Sequence, residues 1–453
     1  MAGRPKIAKS ELSGWGRHPR AECLRAEPLQ PLDDLDAFAE FAHLVPRGMG
    51  RSYGDASLAA EGDLVLATRW QNKFIDFDPI AGRIVAQAGV TLGDVLDVII
   101  PQGWFLPVTP GTRFVSLGGA LASNVHGKNH HRTGPIVNFV DHCTVLTELG
   151  NLRTSQTENP ELFRATIGGY GMTGLIQEVG LRLARIETAF VKAHSIKVNN
   201  LDDALAIGAE RDANHEMSVT WMDCLARGSK LGRGIVMLGD YAKAAELPTW
   251  QSEAPLANRW KRGLSAPKRC PEWLLNRAAN RLMNFAYYHK NFGREQQALV
   301  PFEPWFYPLD GVAGWNHFYG KRGFVEYQCA LPKADGPRAV QLLLERVAEA
   351  KFGSFLAVLK QIGDDNVTMP FAMPGYTLAM DFRAGLPGLF DVLNELDRIV
   401  LDHGGRIYLS KDARLPATTF REMYPEFPAW QQDVAKFAPT GRFRSALAER
   451  LGW

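Results

Sequence analysis

The chain has 453 residues, of which 46% are hydrophobic and 22% charged, and its formal net charge is +2. This length predicts two or three domains with substantial cores, and the composition excludes disorder, collagen and coiled coil as overall classes. Because the net charge is so close to zero, the protein as a whole has no positive potential that would attract nucleic acid. Any function that needs positive charge must depend on a local basic patch.

The sequence predicts neither an export signal nor a membrane span. Its N-terminus, Met1–Ser10, is basic, but no apolar run follows it, and no run of eighteen apolar residues occurs anywhere in the sequence. The five cysteines are odd in number and far apart, which predicts a reducing compartment and no disulfide framework. They are Cys23, Cys143, Cys224, Cys270 and Cys329.

Residues 63–186 are predicted to alternate short strands and helices, and residues 1–188 are predicted to form a first domain. Local signals are a capping box, an Asn-Pro helix start and a strand with alternating apolar residues. They predict, in chain order, a strand over Arg83–Ala88, a helix from Thr91 and Asp94 to Ile100, a helix from Asn159–Pro160 through Thr166, and a half-buried strand over Leu175–Leu183.

Residues 189–405 have a different pattern, with strands before and between two longer helices, which predicts an inserted α+β domain with helices on one face of a sheet. Residues 406–453 are predicted to return to the first domain as a short strand, Arg406–Leu409, and a polar helical tail. The predicted strands of the insertion are Ser218–Cys224, Ile235–Leu238, Phe324–Leu331, Phe355–Gln361 and Tyr376–Phe382; the helices are Pro337–Ala350 and Pro387–His403, the second ended by Gly404–Gly405.

Three glycine clusters are candidate ligand loops. Arg47–Asp55 has three glycines in seven positions with flanking arginines, which favours a phosphate-binding nest over a surface turn. Ser116 predicts a helix cap followed by Gly118–Gly119, where either a pyrophosphate or close helix–sheet packing explains the missing side chains. Gly169–Gly174 matches G-x-G-x-x-G but lies between a helix and a strand in the wrong order, so it is a false dinucleotide match.

The segment His126–His131 is the densest polar cluster. His126 and His130 have a metal-ligand spacing, but Lys128 lies between them and no carboxylate or thiol is near, so no metal site is predicted. Three histidines and a lysine after a glycine-rich helix favour the wall of a substrate or cofactor site, where these side chains can transfer protons. Hydrogen-bonded structural histidines are the alternative.

Two later lysines lie at strand positions. Lys360 interrupts an apolar strand, which favours a side chain that reaches out to solvent over one that faces a cleft. Lys411 follows the last predicted strand, between two domains, where ligands often bind. It could act as a base with a lowered pKa or form a surface ion pair with Asp412.

These pieces resemble the vanillyl-alcohol-oxidase type of FAD-linked oxidoreductase, and within it the oxidases of polyprenylphosphoryl-β-D-ribose. The resemblance implies an α+β fold in which a two-part FAD-binding domain of the PCMH type, residues 1–188 and 406–453, carries an inserted α+β substrate (cap) domain. The stretches that carry it are Arg47–Asp55, Pro110–Arg113, His126–His131, Glu161–Ile176, Gly314–Asn316, Pro374–Gly375 and Ile407–Arg414.

The resemblance also implies site residues. Lys411 or His126 would accept the hydroxyl proton. The residues implied to contact FAD are Arg47, Gly48, Met49, Gly50, Arg51, Ser52, Tyr53, Gly54, Asp55, Ala56, Ser57, Gly111, Ser116, Leu117, Gly118, Gly119, Ser123, Asn124, Val125, His126, Ile176 and Tyr408. Those implied to contact substrate are Lys128, Tyr319, Gln328, Lys360 and Lys411.

Two positions depart from relatives. The first glycine loop lacks the histidine that carries covalent flavin elsewhere, so FAD is expected to be held non-covalently. Ala379 stands where the family often has a cysteine, so oxidation is not expected to depend on a thiol there, and susceptibility to thiol-directed inhibitors is in doubt.

The implied reaction is oxidation of the 2'-hydroxyl of a polyprenylphosphoryl-β-D-ribofuranose to the keto sugar, the first half of an epimerisation to an arabinose donor. An NAD(P)H-dependent keto-reductase would be the partner. The alternatives are an oxidase of a soluble alditol or aldonolactone and a non-catalytic flavin-binding subunit.

A basic aromatic segment, residues 258–294, fits a substrate that stays in a bilayer. It predicts docking at an anionic membrane surface or, alternatively, a mobile insertion over the cleft. The expected location is cytoplasmic and peripheral at the inner membrane, with the periplasmic face as the other possibility. Its basic residues are Arg259, Lys261, Arg262, Lys268, Arg269, Arg277, Arg281, Lys290 and Arg294, and its aromatic ones Trp260, Trp273, Phe285, Tyr287, Tyr288 and Phe292, with Glu272 the one acid.

Overall fold

The computed structural model describes residues 5–257, 263–268, 270–271, 275–290, 293–354 and 356–453. Several residues of the basic aromatic segment lie outside these ranges: Arg259, Trp260, Lys261, Arg262, Arg269, Glu272, Trp273 and Phe292. Within the described parts of the chain, no helix is long and apolar enough to cross a membrane.

The first part of the chain forms short strands and short helices. The strands are β1 Ile7–Ser13, β2 Arg20–Ala26, β3 Leu44–Arg47, β4 Leu64–Ala67, β5 Phe74–Asp78, β6 Arg83–Gln87, β7 Trp104–Phe105, β8 Val140–Thr147, β9 Gly150–Thr154, β10 Leu175–Arg182 and β11 Ala184–Arg185. The helices are α1 Leu92–Ile99, α2 Leu117–Ala122, α3 His130–Thr133 and α4 Pro160–Thr166.

The rest of the chain has longer strands and helices. The strands are β12 Phe190–Val198, β13 Met217–Met222, β14 Gly234–Tyr241, β15 Leu264–Ser265, β16 Glu295–Pro301, β17 Val312–Ala313, β18 Phe324–Pro332, β19 Ala357–Ile362, β20 Gly375–Arg383 and β21 Arg406–Ile407. The helices are α5 Leu201–Arg211, α6 Thr249–Ser252, α7 Arg277–His289, α8 Phe302–Phe306, α9 Gly336–Ala350, α10 Leu389–Asp402, α11 Ala417–Met423, α12 Phe427–Phe437 and α13 Ala446–Leu451.

Two sheets organise the first part. One is four-stranded in the order β1-β2-β4-β3, and the other is antiparallel in the order β5-β6-β10-β8-β9. Helix α2 packs closely against the second sheet, because a Cβ on Gly118 would lie 2.9 Å from the Cβ of Ala88. Close helix–sheet packing therefore explains Gly118, one of the two explanations that the sequence offered.

The central feature of the second part is an eight-stranded antiparallel sheet, hereafter the large sheet, in the order β16-β12-β14-β13-β19-β20-β18-β21. Helices α9 and α10 bury apolar faces in one core with its strands, which confirms the predicted α+β arrangement. The return strand β21 pairs with β18 at the edge of this sheet. The tail then reaches the first sheet, where the Leu44 amide of β3 donates to the carbonyl of Arg442 at 2.7 Å.

Most local helix signals are confirmed. Thr91 and Asp94 form the predicted capping box of α1, with 3.1 Å from the Asp94 amide to the Thr91 hydroxyl. Helix α4 begins at Pro160, although the Asn159 side chain donates to the carbonyl of Arg153 and does not cap it.

Three structural predictions are wrong in detail. Strand β10 is not half-buried, because its neighbouring residues Leu175 and Ile176 pack into two different cores and only Glu178 and Arg182 reach solvent to any extent. The return strand ends at Ile407, where the chain turns toward the cavity. The helical tail is not simply polar, since Trp430 is 2% exposed and anchors one face of it in the core.

Candidate active site

A cavity of about 570 Å³ lies where the loop after β3, helix α2 and the large sheet meet. Its size is in the range of small-molecule and cofactor sites. The predicted site residues that line it are Gly48, Met49, Gly50, Arg51, Ser52, Tyr53, Ala56, Ser57, Gly111, Ser116, Gly119, Ser123, Val125, His126, Lys128, Gln328, Lys360, Tyr408 and Lys411. Those outside the lining are Arg47, Gly54, Asp55, Leu117, Gly118, Asn124, Ile176 and Tyr319.

The glycine loop, residues 48–57, rests on the start of helix α2. The Ser116 hydroxyl caps the helix by accepting from the Gly119 amide at 3.3 Å. A Cβ on Gly48 would collide with this hydroxyl, so glycine lets the loop approach the cap. Gly50 has a φ of 63°, a left-handed conformation that glycine adopts without strain.

The two arginines of this loop have different roles. Arg47 turns away from the cavity and donates to the carbonyl of Ser13 at 2.7 Å and the hydroxyl of Ser57 at 3.0 Å, so it braces the loop. Arg51 lines the cavity with its guanidinium 4.0 Å above the Trp15 ring. Burial lowers the pKa of Arg51, although the guanidinium stays charged. Arg51 is therefore the loop arginine that can meet an anion in the cavity.

Other residues predicted to contact FAD lie outside the cavity lining and instead connect the cavity wall to later parts of the chain. Gly54 approaches the backbone of Asp412 so closely that a Cβ would overlap the Asp412 carbonyl. The carboxylate of Asp55 pairs with Arg450 at 2.8 Å, and the amide of Asn124 donates to Asp365 at 2.5 Å. These residues tie the glycine loop and the end of α2 to later parts of the chain.

His126 is buried in the cavity wall between two polar neighbours. Its Nδ1 lies 3.3 Å from Lys360 Nζ, and its Nε2 lies 3.0 Å from the amide of Gln328, which also donates to the Thr377 hydroxyl. Burial, with the Lys360 charge adding to it, lowers the pKa of His126 well below 6.5. The imidazole is therefore neutral at pH 7 and offers one donor and one acceptor nitrogen.

The other two histidines of the cluster have structural roles, as the alternative interpretation held. His130 accepts from the Gly363 amide at 3.0 Å, and burial lowers its pKa to about 3. His131 Nε2 lies 3.2 Å from the Asp212 carbonyl. Among the described residues, no group of three or more His, Cys, Asp or Glu side chains is placed to hold a metal ion.

Lys128 and Lys360 are buried amines on the cavity wall. The Lys128 ammonium donates to the carbonyl of Trp305 and lies 4.7 Å from the centre of that indole ring. Burial lowers the pKa of Lys128 to about 7, with Lys360 adding to the effect. Burial and the Lys411 charge lower the pKa of Lys360 to about 8. The prediction that Lys360 reaches out to solvent is therefore wrong, because its strand is central and this face of the strand borders the cavity.

Lys411 does not pair with Asp412. Its Nζ lies 3.0 Å from the carboxylate of Glu326 and 3.7 Å from the centre of the Tyr53 ring, while Asp412 pairs with Arg450. The surface ion pair with Asp412 that the sequence offered as an alternative is thus wrong. The turn after β21 points the amine into the cavity and the carboxylate away from it.

Tyr319 lies behind the lining, where its hydroxyl donates to Asp381 at 3.3 Å and its ring stacks on Phe324 at 4.1 Å between centroids. Glu326 lines the cavity and was missed by the sequence analysis. The sequence does contain a signal for Glu326, because Glu326 and Gln328 alternate with apolar residues and therefore share one face of strand β18.

The cavity fits FAD. A glycine loop, a capped helix start and the buried guanidinium of Arg51 converge at one part of it, which suits the negative charges of a pyrophosphate. Gly111 has open space where a Cβ would stand, so backbone faces the cavity there too. His126, Lys360 and Lys411 form another part, where a reacting group would meet proton donors and acceptors.

Comparisons with known proteins agree with this geometry. A family model described as an FAD binding domain matches residues 33–156. Decaprenylphosphoryl-beta-D-ribose oxidase of Mycolicibacterium smegmatis is 32% identical over 449 residues, 97% of each chain. Two further relatives match about a third of this chain: D-2-hydroxyglutarate dehydrogenase of Xanthomonas citri pv. viticola, 30% identical over 32% of this chain and 33% of that enzyme, and mitochondrial L-galactono-1,4-lactone dehydrogenase of Arabidopsis thaliana, 27% identical over 38% and 28%.

Proposed function

Because the chain belongs to the family of FAD-binding oxidoreductases that includes decaprenylphosphoryl-beta-D-ribose oxidase, we propose that it oxidises the 2'-hydroxyl of a polyprenylphosphoryl-β-D-ribofuranose to the 2'-ketone. It is an FAD-dependent enzyme that acts on a CH–OH group. The observation that carries the proposal is one cavity lined both by a glycine loop suited to an anion and by the side chains of His126, Lys360 and Lys411.

Residues of this chain would hold the cofactor and the sugar in place. When bound, FAD supplies the two-electron acceptor for a hydride. The glycine loop, Ser116 and Arg51 would hold its pyrophosphate, without a covalent bond to the flavin. Gln328 is fixed by Thr377 and orients His126, which can hydrogen-bond a sugar hydroxyl through the nitrogen that Lys360 contacts.

The lysines give the cavity the positive charge that a phosphate ester needs. Lys128 and Lys360 are half-buried residues with desolvated amines, and neither has a carboxylate as its hydrogen-bond partner, unlike Lys411. A substrate phosphate would supply the counter-charge and so offset part of the cost of burying these ammonium groups. A soluble alditol or lactone has no such charge, and this favours the phosphorylated substrate over that alternative.

The membrane surface is the proposed source of the substrate. Helix α7 buries Asn280, Asn284 and Tyr288 and exposes Leu282 and Phe285, which are 68% and 54% accessible. An exposed apolar face within a basic segment suits the boundary of an anionic bilayer. The same helix contributes lining to the cavity, so docking through it would bring the cavity to the lipid phase. A second, nicotinamide-dependent reductase would complete the epimerisation.

The visible spectrum tests the proposed reaction. Purified yellow protein is mixed without oxygen with polyprenylphosphoryl ribose, and we expect its flavin absorption to bleach. The control is the analogue that lacks the 2'-hydroxyl, which should bind without bleaching. A yellow protein that is bleached only by a soluble aldonolactone, or by no sugar at all, would contradict the proposal.

A further inference from the structure

The cavity has an acidic pair behind Lys411 that the proposed chemistry leaves unused. Glu326 of β18 and Asp381 of β20 lie directly opposite each other in the antiparallel register. Side chains at such paired positions project from the same face of a sheet and lie close together. Two ionised carboxylates there would repel, so the pair is stable only with a bound proton or a neighbouring cation.

The two acids have different surroundings. Glu326 is the ion-pair partner of Lys411 at 3.0 Å. Asp381 is 1% exposed, and burial together with the charge of Glu326 raises its pKa well above the ordinary value. Burial thus favours the protonated form of Asp381, and Glu326 is the carboxylate of the pair that contacts the Lys411 amine.

Neither residue first considered as the base is a sufficient proton acceptor. Lys411 is paired with a carboxylate, and an ammonium group has no lone pair to accept a further proton. His126 is neutral, but burial and the charge of Lys360 lower its pKa so far that it binds a proton weakly. The hydroxyl proton therefore needs a third group within reach of the cavity.

We propose that Glu326 is the terminal acceptor of the hydroxyl proton and that Lys411 relays the proton to it, an inference that rests on the proposed function. As the hydride leaves C2' with two electrons, the O–H bond breaks and the C–O bond becomes a carbonyl. The released proton bonds to Lys411 Nζ while Lys411 gives one of its own protons to Glu326 Oε2. Lys411 ends as an ammonium group and Glu326 as a neutral acid.

The charges of this step balance within the cavity. The hydride would carry one negative charge to bound FAD and Glu326 would lose one, so the net charge of the site would be unchanged. Burial raises the pKa of Asp381 and that of Tyr53, which is hydrogen-bonded to Glu326, so neither group is favoured as a second source of the proton. In this role Glu326 also positions Lys411 toward the sugar.

The variant Glu326→Gln keeps the size of the side chain but cannot accept a proton. We expect the rate of anaerobic flavin bleaching by polyprenylphosphoryl ribose to fall at least about 100-fold, as for other losses of a general base. Substrate affinity should change less than about threefold. The matched control is Glu395→Gln, which removes an exposed ion pair with Arg346 far from the lining and should bleach like the wild type.

A second measurement needs no turnover. Without the carboxylate of Glu326, the Lys411 amine loses the ion-pair partner that holds it at 3.0 Å, so acetic anhydride should acetylate it several-fold faster in FAD-free Glu326→Gln than in the FAD-free wild type, measured by mass spectrometry at one pH. Unchanged labelling would overturn the ion pair with Glu326 as the contact that holds Lys411. This result stands even if no polyprenyl sugar bleaches the wild type, which would instead refute the proposed function.

Two further outcomes decide the assignment. Asp381→Asn should slow bleaching less than tenfold, and a loss as large as that of Glu326→Gln would place the accepting carboxylate on Asp381. In the wild type, two protons in flight predict a curved dependence of the bleaching rate on the fraction of deuterium oxide. A linear dependence would overturn the relay, and this measurement decides the matter even if Glu326→Gln does not hold FAD.

Discussion

At the scale of single residues, the charge of the cavity depends on which partner each of its three lysine amines has. Lys411 has the carboxylate of Glu326 as its partner, whereas Lys128 donates to a backbone carbonyl and Lys360 approaches the imidazole of His126. Burial without a counter-charge disfavours an ammonium group, and this lowers the pKa of Lys128 and Lys360 toward neutrality. The charge of the cavity thus depends on pH.

This dependence predicts how substrate affinity varies with pH. Below a pKa of about 8, Lys360 is cationic and attracts a phosphate; above it, the amine is neutral. We expect the affinity for the non-oxidisable 2'-deoxy analogue to fall roughly tenfold as the pH rises through this value, since losing one ion pair of about 1.4 kcal/mol corresponds to a factor of ten. Calorimetric titration of the FAD-loaded protein measures it.

The control for this prediction is Lys360→Met, which removes the charge and keeps much of the apolar stem. Its affinity should be lower than that of the wild type at pH 7 and should lose the part of the pH dependence centred near the pKa of Lys360, leaving the part due to Lys128. An affinity of the wild type that is flat across this range would show that the lysines do not bind the phosphate.

At the scale of elements, the glycine loop and the turn after β21 are locked together. The Tyr53 amide donates to the Ser410 carbonyl at 3.0 Å, and Gly54 leaves no room for a side chain against Asp412. The contact couples the loop proposed to hold FAD to the turn that carries Lys411. Gly111, in contrast, has nothing within 4 Å of its Cβ position.

These two glycines form a matched pair of variants. Gly54→Ala should lower the free energy of unfolding of the FAD-free protein by about 1–3 kcal/mol, because the new methyl group overlaps backbone that must move. Gly111→Ala should change it by less than about 0.5 kcal/mol, as is usual where space is open, and should weaken FAD binding only. Denaturant titration and flavin fluorescence measure the two effects. Equal loss of stability in both variants would contradict the close approach at Gly54.

The sequence predicts contacts between neighbouring residues well and contacts between distant residues poorly. The capping box of α1 and the Ser116 cap depend on residues three apart, so their pattern is visible in the sequence. The direction of Lys360 and the pairing of Glu326 with Lys411 depend on strand register and on a turn 85 residues away. An isolated strand cannot show which of its faces borders a cavity, so solvent was the favoured but wrong expectation for Lys360.

At the scale of the whole molecule, a chain of net charge +2 would need a local basic and apolar surface to reach the lipid-borne substrate proposed for it. Helix α7 combines exposed apolar side chains with the exposed cations Arg277, Arg281 and Lys290, and its other face lies against the large sheet through Tyr288. Cations near anionic lipid contribute about 1 kcal/mol each, and buried apolar side chains add about 1.5–3 kcal/mol. Together they suffice for reversible docking.

The docking prediction can be tested with one double variant and one control. Leu282→Asp with Phe285→Asp should lower the partition of the protein onto vesicles that contain phosphatidylglycerol at least tenfold, because the apolar contribution is replaced by repulsion. It should also raise KM for a long-chain substrate in vesicles and leave KM for a water-soluble short-chain analogue unchanged, since the cavity is intact.

The control is Phe74→Asp with Ile80→Asp. These side chains are also exposed, at 40% and 91%, but they lie on and just after β5 and not on helix α7. Equal loss of vesicle binding in the control would mean that general hydrophobicity, and not helix α7, brings the enzyme to the membrane.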